Sequence, residues 1–132
     1  MTLSIQEYIN HDATALSSLV REKQVSPQEL LDVAIRMVEL VNPAVNAIIL
    51  PMVDEAKAQL KKPATNAPFA GVPFLLKDLL SAYASVPMSS GSNAMKHWKP
   101  DYHSFVTQRF LEAGFVIFGK TNTPECGLLA VS

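Results

Sequence analysis

The chain has 132 residues, 48% of them hydrophobic and 17% charged, enough for one domain with a real core and too apolar for a disordered chain. Eleven basic against twelve acidic side chains leave a net charge of −1, which excludes an electrostatic footprint for nucleic acid. One cysteine excludes an internal disulfide framework, and no apolar run approaches the length of a membrane span.

In chain order, Ser4 and Glu7 have the form of a capping box over a short segment ending at Asn10. Asp12 is an N-cap for a helix over 13–22 with Leu16, Leu19 and Val20 on one face. Ser26-Pro27-Gln28-Glu29 sets a hydroxyl at N-cap, proline at N1 and a carboxylate at N3, and the helix it opens is expected to end at Asn42-Pro43. Residues 46–50 form a short apolar run, expected as a buried strand. Val53, Ala56 and Leu60 mark a helix ending at Lys61-Lys62, and 63–68 is a loop by composition. Residues 72–76 are an apolar strand running into Lys77-Asp78, and 81–100, with five serines and no periodicity, form an extended loop. Asp101 is expected to open a helix closed by Gly114, and 115–118 form a further apolar strand. Strand, helix and strand over 72–118 predict a parallel βαβ unit, hence an α/β fold.

Residues 114–121, Gly-Phe-Val-Ile-Phe-Gly-Lys-Thr, fit the P-loop pattern letter for letter. A phosphate cradle needs a strand before its first glycine and a helix from its lysine, whereas here a helix precedes and four large apolar residues intervene. His11, His97 and His103 have neither metal-ligand spacing nor acidic partners, so structural or surface roles are expected and no metal site. Cys126, a lone cysteine, reads as a small buried hydrophobe. Lys77 ends an apolar run expected as a central strand of a parallel sheet, the place where open α/β sheets set their active sites, and partial desolvation there would let it exchange protons near neutrality. Ser81, Ser85, Ser89, Ser90 and Ser92 lie near it in sequence. A strand-end lysine reaching into water is the other reading, and spacing alone leaves both open.

Several stretches read together carry more. Phe69-Ala70-Gly71-Val72-Pro73-Phe74-Leu75-Leu76-Lys77-Asp78-Leu79 resembles the lysine-bearing segment of the amidase signature family. Gly119-Lys120-Thr121-Asn122-Thr123-Pro124-Glu125 is similar to the segment that comes after it there, and Ser89-Ser90-Gly91-Ser92 to the small-residue loop between them. The helix from Ser26 and the stretch Val41-Asn42-Pro43-Ala44-Val45-Asn46-Ala47 match the family's N-terminal region. Within the family the chain looks nearest to bacterial hydrolases of linear and cyclic amides.

The resemblance implies a mixed sheet covered by helices and a Ser–cis-Ser–Lys triad that hydrolyses carbon–nitrogen bonds of small-molecule amides without metal or organic cofactor. Lys77 is the implied triad lysine, and Ser89, Ser90 and Gly91 are candidate substrate-binding residues. Both triad serines and the oxyanion donors lie, in the family, downstream of the segment resembling 119–125. The expectation is therefore an N-terminal piece of one amidase domain, helical with one strand over 1–66 and a lysine-bearing βαβ segment over 67–132, inactive alone. Strand 72–76 or 115–118 should then present an unpaired edge and an apolar face, so self-association is expected. With no basic segment leading into an apolar one at the N-terminus, a cytoplasmic location is expected. A stand-alone binding or assembly module derived from an amidase, and a nucleotide binder at 114–121, are the alternatives.

Overall fold

Local capping chemistry starts the first three helices. In the computed structural model, which describes residues 3–62, 64 and 66–130, the Ser4 hydroxyl accepts from the Glu7 N–H at 3.2 Å and Glu7 accepts from the Ser4 N–H at 2.8 Å, opening α1 (Ile5–Ile9). Asp12 caps α2 (Ala13–Arg21) by accepting from the Ala15 N–H. Ser26 and Glu29 repeat the reciprocal pair at the start of α3 (Pro27–Val45), so two orphan donors are satisfied at each box.

Helix α3 does not end at Asn42-Pro43 as its sequence suggests. It runs through Pro43 and closes at Asn46, which takes the left-handed conformation at φ 47°. Pro43 removes one N–H, but the carbonyl it leaves belongs to the exposed Glu39 and can be hydrated. The Asn42 side chain meanwhile ties the end of the helix to the next strand, donating to the Ile48 carbonyl and accepting from the Ile48 N–H.

Those bonds lead into β1 (Ile48–Pro51), after which come α4 (Val53–Leu60), β2 (Pro73–Lys77), α5 (Phe105–Glu112) and β3 (Val116–Thr121). Single 3-10 turns occupy Asn93–Met95 and Glu125–Gly127. The loop expected over 63–68 includes Pro63 and Thr65, which lie outside the described residues. The three strands form one mixed sheet in the order β1-β3-β2, with β3 parallel to β2 and antiparallel to β1. The βαβ unit is thus present. Strand β1, expected as a buried strand, is instead an edge strand whose residues alternate between half-buried and exposed. Of the two strands expected to offer an unpaired edge, β2 does so among the described residues, whereas β3 is central.

Helix α5 starts later than Asp101. The backbone over 100–104 is engaged with the preceding loop, where Ser85 N–H donates to Pro100 O and Ser104 N–H to Ala82 O, so Ser104 becomes the N-cap. Its hydroxyl accepts from the Thr107 N–H. At the other end Gly114, with φ 92°, takes the position after the cap, where an added Cβ would stand 2.8 Å from Ala70 Cα.

One face of the sheet packs Val116 and Phe118 of β3 against Leu31 and Ala34 of α3 and Ala56 of α4. The opposite face gathers Leu76 and Ile117 with Met52 and Val86, flanked by Phe110 and Leu111 of α5. A third group, Leu16, Val25, Leu30 and Val72, ties α2 and α3 to the chain entering β2. Gln59 of α4 extends the ladder beyond β1, donating to the Ile117 carbonyl and accepting from the Ile117 N–H. A central position for Ile117 would otherwise leave its backbone groups on that side unpaired.

Strand β3 carries an extra residue opposite β2. Phe74 faces Ile117, Leu75 faces Gly119 and Leu76 faces Lys120, so Phe118 is unpaired in the register. The irregularity inverts the alternation beyond it and sets Lys120 on the same face as Leu76. It also disposes of the P-loop match: Gly114 terminates a helix, residues 116–121 are extended in the sheet, and Lys120 is fully buried. The lysine that a phosphate cradle would need is enclosed, with its Nζ donating to the Pro87 carbonyl.

Candidate active site

Strands β2 and β3 end side by side, with Lys77 opposite Thr121 and the Asp78 N–H donating to the Thr121 carbonyl at 3.1 Å. Alternation along β2 sends Lys77 to one face and its neighbours Leu76 and Asp78 to the other. Asp78 is buried and Lys77 is exposed. Strand β2, expected as a central strand, is an edge strand among the described residues, and the partial desolvation expected for Lys77 is not found: its side chain lies on the opposite face from the buried Leu76 and Asp78 and is exposed. The ion pairs of the described residues are Arg109–Glu112 and Lys120–Asp78, and Lys77 takes part in neither.

The buried polar chemistry belongs to Asp78 and Lys120. Lys120 Nζ stands 3.4 Å from Asp78 Oδ1 and donates to the Pro87 carbonyl at 2.8 Å, with its side chain wholly excluded from solvent. Burial pulls the ammonium below the ordinary lysine value, and it outweighs the Asp78 carboxylate, which pulls the other way. Asp78 Oδ2 accepts twice from Ser89, from the hydroxyl at 2.5 Å and from the N–H at 3.0 Å. The Ser89 hydroxyl oxygen in turn accepts from the Gly91 N–H at 3.2 Å. Every buried charge here has a partner, as the low dielectric requires.

The same loop is pinned from its other side by the chain leaving β3. Cys126 N–H donates to Ser90 O at 2.8 Å, and Gly91 sits at φ 72° with space for no side chain: a Cβ would stand 2.6 Å from the Thr123 carbonyl oxygen. Ser90 itself is held at φ 52°. Cys126, expected as a buried hydrophobe, is exposed at φ 51°.

Of the residues singled out in the sequence, the structure thus brings Ser89, Ser90 and Gly91 together at the C-terminal end of β2. It does not join them to the Lys77 side chain: none of the five nearby serine hydroxyls bonds Lys77 among the described residues. His103 accepts from the Ala84 N–H through Nδ1 and meets Tyr83 edge-on, a structural role within the loop. The sequence reading missed Asp78 and Lys120 as a unit. The available signal was an ionisable residue inside or directly after each of two apolar strands. A separate cleft of about 560 Å³ is lined by Glu55, Gln59, Tyr83, His103 and Phe115, and contains neither Lys77 nor Ser89.

The family model for amidases matches residues 29–132. The chain belongs to the amidase family. It is 43% identical over 118 residues to the 6-aminohexanoate-cyclic-dimer hydrolase of Paenarthrobacter ureafaciens, a match covering 88% of this chain and 24% of that protein. The solved structure of 6-aminohexanoate cyclic dimer hydrolase complexed with substrate superposes with a TM-score of 0.82 at 42% identity, over 88% of this chain and 24% of that one. A bacterial aryl acylamidase of the amidase signature enzymes family superposes with a TM-score of 0.80 at 27% identity, over 88% of this chain and 26% of that one. The chain therefore spans about a quarter of the length of the relatives it matches. No helix among the described residues is long and apolar enough to cross a membrane.

Proposed function

We propose that these residues are the lysine-bearing part of an amidase that hydrolyses carbon–nitrogen bonds of small linear or cyclic amides through a Ser–cis-Ser–Lys triad. Lys77 is its proton acceptor and donor. The observation that carries the reading is position: Lys77 ends a strand parallel to β3, where the loop bearing Ser89, Ser90 and Gly91 and the 121–126 segment converge. In this scheme a serine from the remainder of the protein attacks the amide carbonyl, a second serine passes the proton to a neutral Lys77, and the charged lysine returns it to the leaving amine. The Ser89–Gly91 segment borders the substrate through its backbone. The remainder of the domain covers Lys77, which is exposed in the 132 residues, and supplies the desolvation a basic lysine needs. The two parts of the chain, 1–66 and 67–132, belong to one domain.

Alone, the 132 residues lack nucleophile and oxyanion donors and do not turn over amides. They self-associate through the open edge of β2 and exposed side chains such as Leu80 and Leu128. A cytoplasmic location completes the reading, with neither metal nor organic cofactor involved. The test is hydrolysis of hexanamide and of 6-aminohexanoate cyclic dimer by the complete amidase and by the 132 residues alone. The complete protein turns over at least one of them, Lys77→Ala abolishes that turnover, and the 132 residues are inactive. Turnover by Lys77→Ala at the parent rate would remove Lys77 from the chemistry.

A further inference from the structure

Resting on the reading of Lys77 as the triad lysine, we infer that Asp78, Lys120 and Ser89 are positioning residues, and that the Ser89 hydroxyl does not donate to substrate. Its one proton is committed to Asp78 Oδ2 at 2.5 Å, so the hydroxyl has none left to donate to substrate, and its oxygen already accepts one bond from the Gly91 N–H. Asp78 comes directly after Lys77 and is anchored in three directions: its N–H to Thr121 of β3, one carboxylate oxygen to Ser89 and the other beside Lys120. Lys120 adds a second hold on the same loop through Pro87 O.

The network therefore ties the 87–91 loop, which has no regular ladder to either strand, to the adjoining ends of β2 and β3. Its function is to fix the distance between the backbone carrying Lys77 and the Ser89–Gly91 backbone that faces substrate. A misplacement of about 1 Å between reacting groups lowers rates by about 100-fold. Lys120 contributes countercharge and grip, not proton transfer, since its ammonium is enclosed and occupied by Asp78 and Pro87.

The experiment uses the complete amidase with hexanamide as probe, comparing Ser89→Ala, Ser89→Thr, Asp78→Asn and Lys120→Met with the parent, together with hydrogen exchange of peptides covering 87–91 and 116–119. Loss of one charge-assisted bond predicts a kcat lower by about 10- to 100-fold in Ser89→Ala, at a KM changed by less than about threefold. Ser89→Thr, which keeps the hydroxyl, recovers most of that loss. Exchange over 87–91 rises in Ser89→Ala while 116–119 stays protected. If Asp78→Asn or Lys120→Met fails to fold, the Ser89 pair still decides the matter. Equal kcat in Ser89→Ala and the parent with unchanged exchange over 87–91 would overturn the positioning role, and a raised KM at constant kcat would make Ser89 a substrate ligand instead. Lys77→Ala tests the other reading separately: if it retains turnover the triad assignment falls, while the exchange result still judges the network.

Discussion

Replacing the two buried charges singly and together gives a quantitative test of the Asp78–Lys120 interior. Asp78→Asn leaves the fully buried Lys120 ammonium with only the Pro87 carbonyl and turns an amide N–H toward it, so a loss of about 3–5 kcal/mol is expected, the range for breaking one side of a buried pair. Lys120→Met is milder, because Asp78 keeps both bonds from Ser89 and the 3.4 Å contact it loses is long. Leaving Pro87 O without its donor and the carboxylate without its countercharge costs about 1–3 kcal/mol. In the double variant neither charge remains to be stranded, so its loss falls short of the sum of the single losses by about 2 kcal/mol, within the coupling found for groups in one network. Urea denaturation monitored by far-UV circular dichroism at neutral pH measures all three differences, with equal m-values required for the comparison. Strictly additive losses, or a neutral Asp78→Asn, would refute the reasoning, since either result means the two charges do not face one another in a low-dielectric interior.

The sign of the Lys120 shift makes a pH prediction. With the folded value lowered by burial below the ordinary 10.5, the unfolded chain binds the extra proton between the two values, so stability from this group rises with pH there and the gap between parent and Lys120→Met widens toward 10.5. Glu29 behaves oppositely: the Ser26 bonds hold its carboxyl below 4.5, so its contribution is complete above 4.5 and lost as pH falls through the folded value. The parent's advantage over Glu29→Gln in urea midpoint should shrink on acidification from pH 5 downward. Gly91→Ala, forcing a Cβ to 2.6 Å from a carbonyl oxygen at positive φ, should lower stability by about 2 kcal/mol or more, measured by the same unfolding curves. Leu30→Ala, at a fully buried position, should cost about 2–5 kcal/mol. For self-association, light scattering after size exclusion should give a mass above 14.4 kDa that Leu128→Glu reduces; a monomer in the unsubstituted chain would count against it.

What the sequence makes legible is what short-range chemistry decides. Ser4 with Glu7, Asp12, and Ser26 with Glu29 announce three helix starts because each cap needs only partners three residues away. The apolar runs of β2 and β3 and the glycine after α5 are of the same kind. Misreadings begin where a distant segment competes. Asp101 could cap a helix, but residues 100–104 are taken by hydrogen bonds to the 82–85 loop. Pro43 would stop an isolated helix, yet its orphaned carbonyl is exposed and α3 continues. Strand β1 is as apolar as a central strand, and only the sheet order, with β3 inserted between β1 and β2, makes it an edge.

The Asp78–Lys120 pair belongs to this second group, and the extra residue in β3 explains why. Counting by twos from Val116 and Phe118, whose side chains join the α3 face, would send Lys120 to that same face, away from Leu76 and Asp78. The unpaired Phe118 breaks the count, and Lys120 arrives opposite Leu76, within reach of Asp78 and of the loop that Asp78 holds. Gly119 is the residue that permits this: an added Cβ would meet Leu75 Cδ2 at 3.1 Å and the Leu50 carbonyl oxygen at 3.2 Å, so the position is crowded from both neighbouring strands. The Gly-Lys dipeptide that imitates a phosphate loop is thus explained by packing. Glycine lets three strands close around the bulge, and lysine supplies the cation that a buried carboxylate beside Lys77 requires.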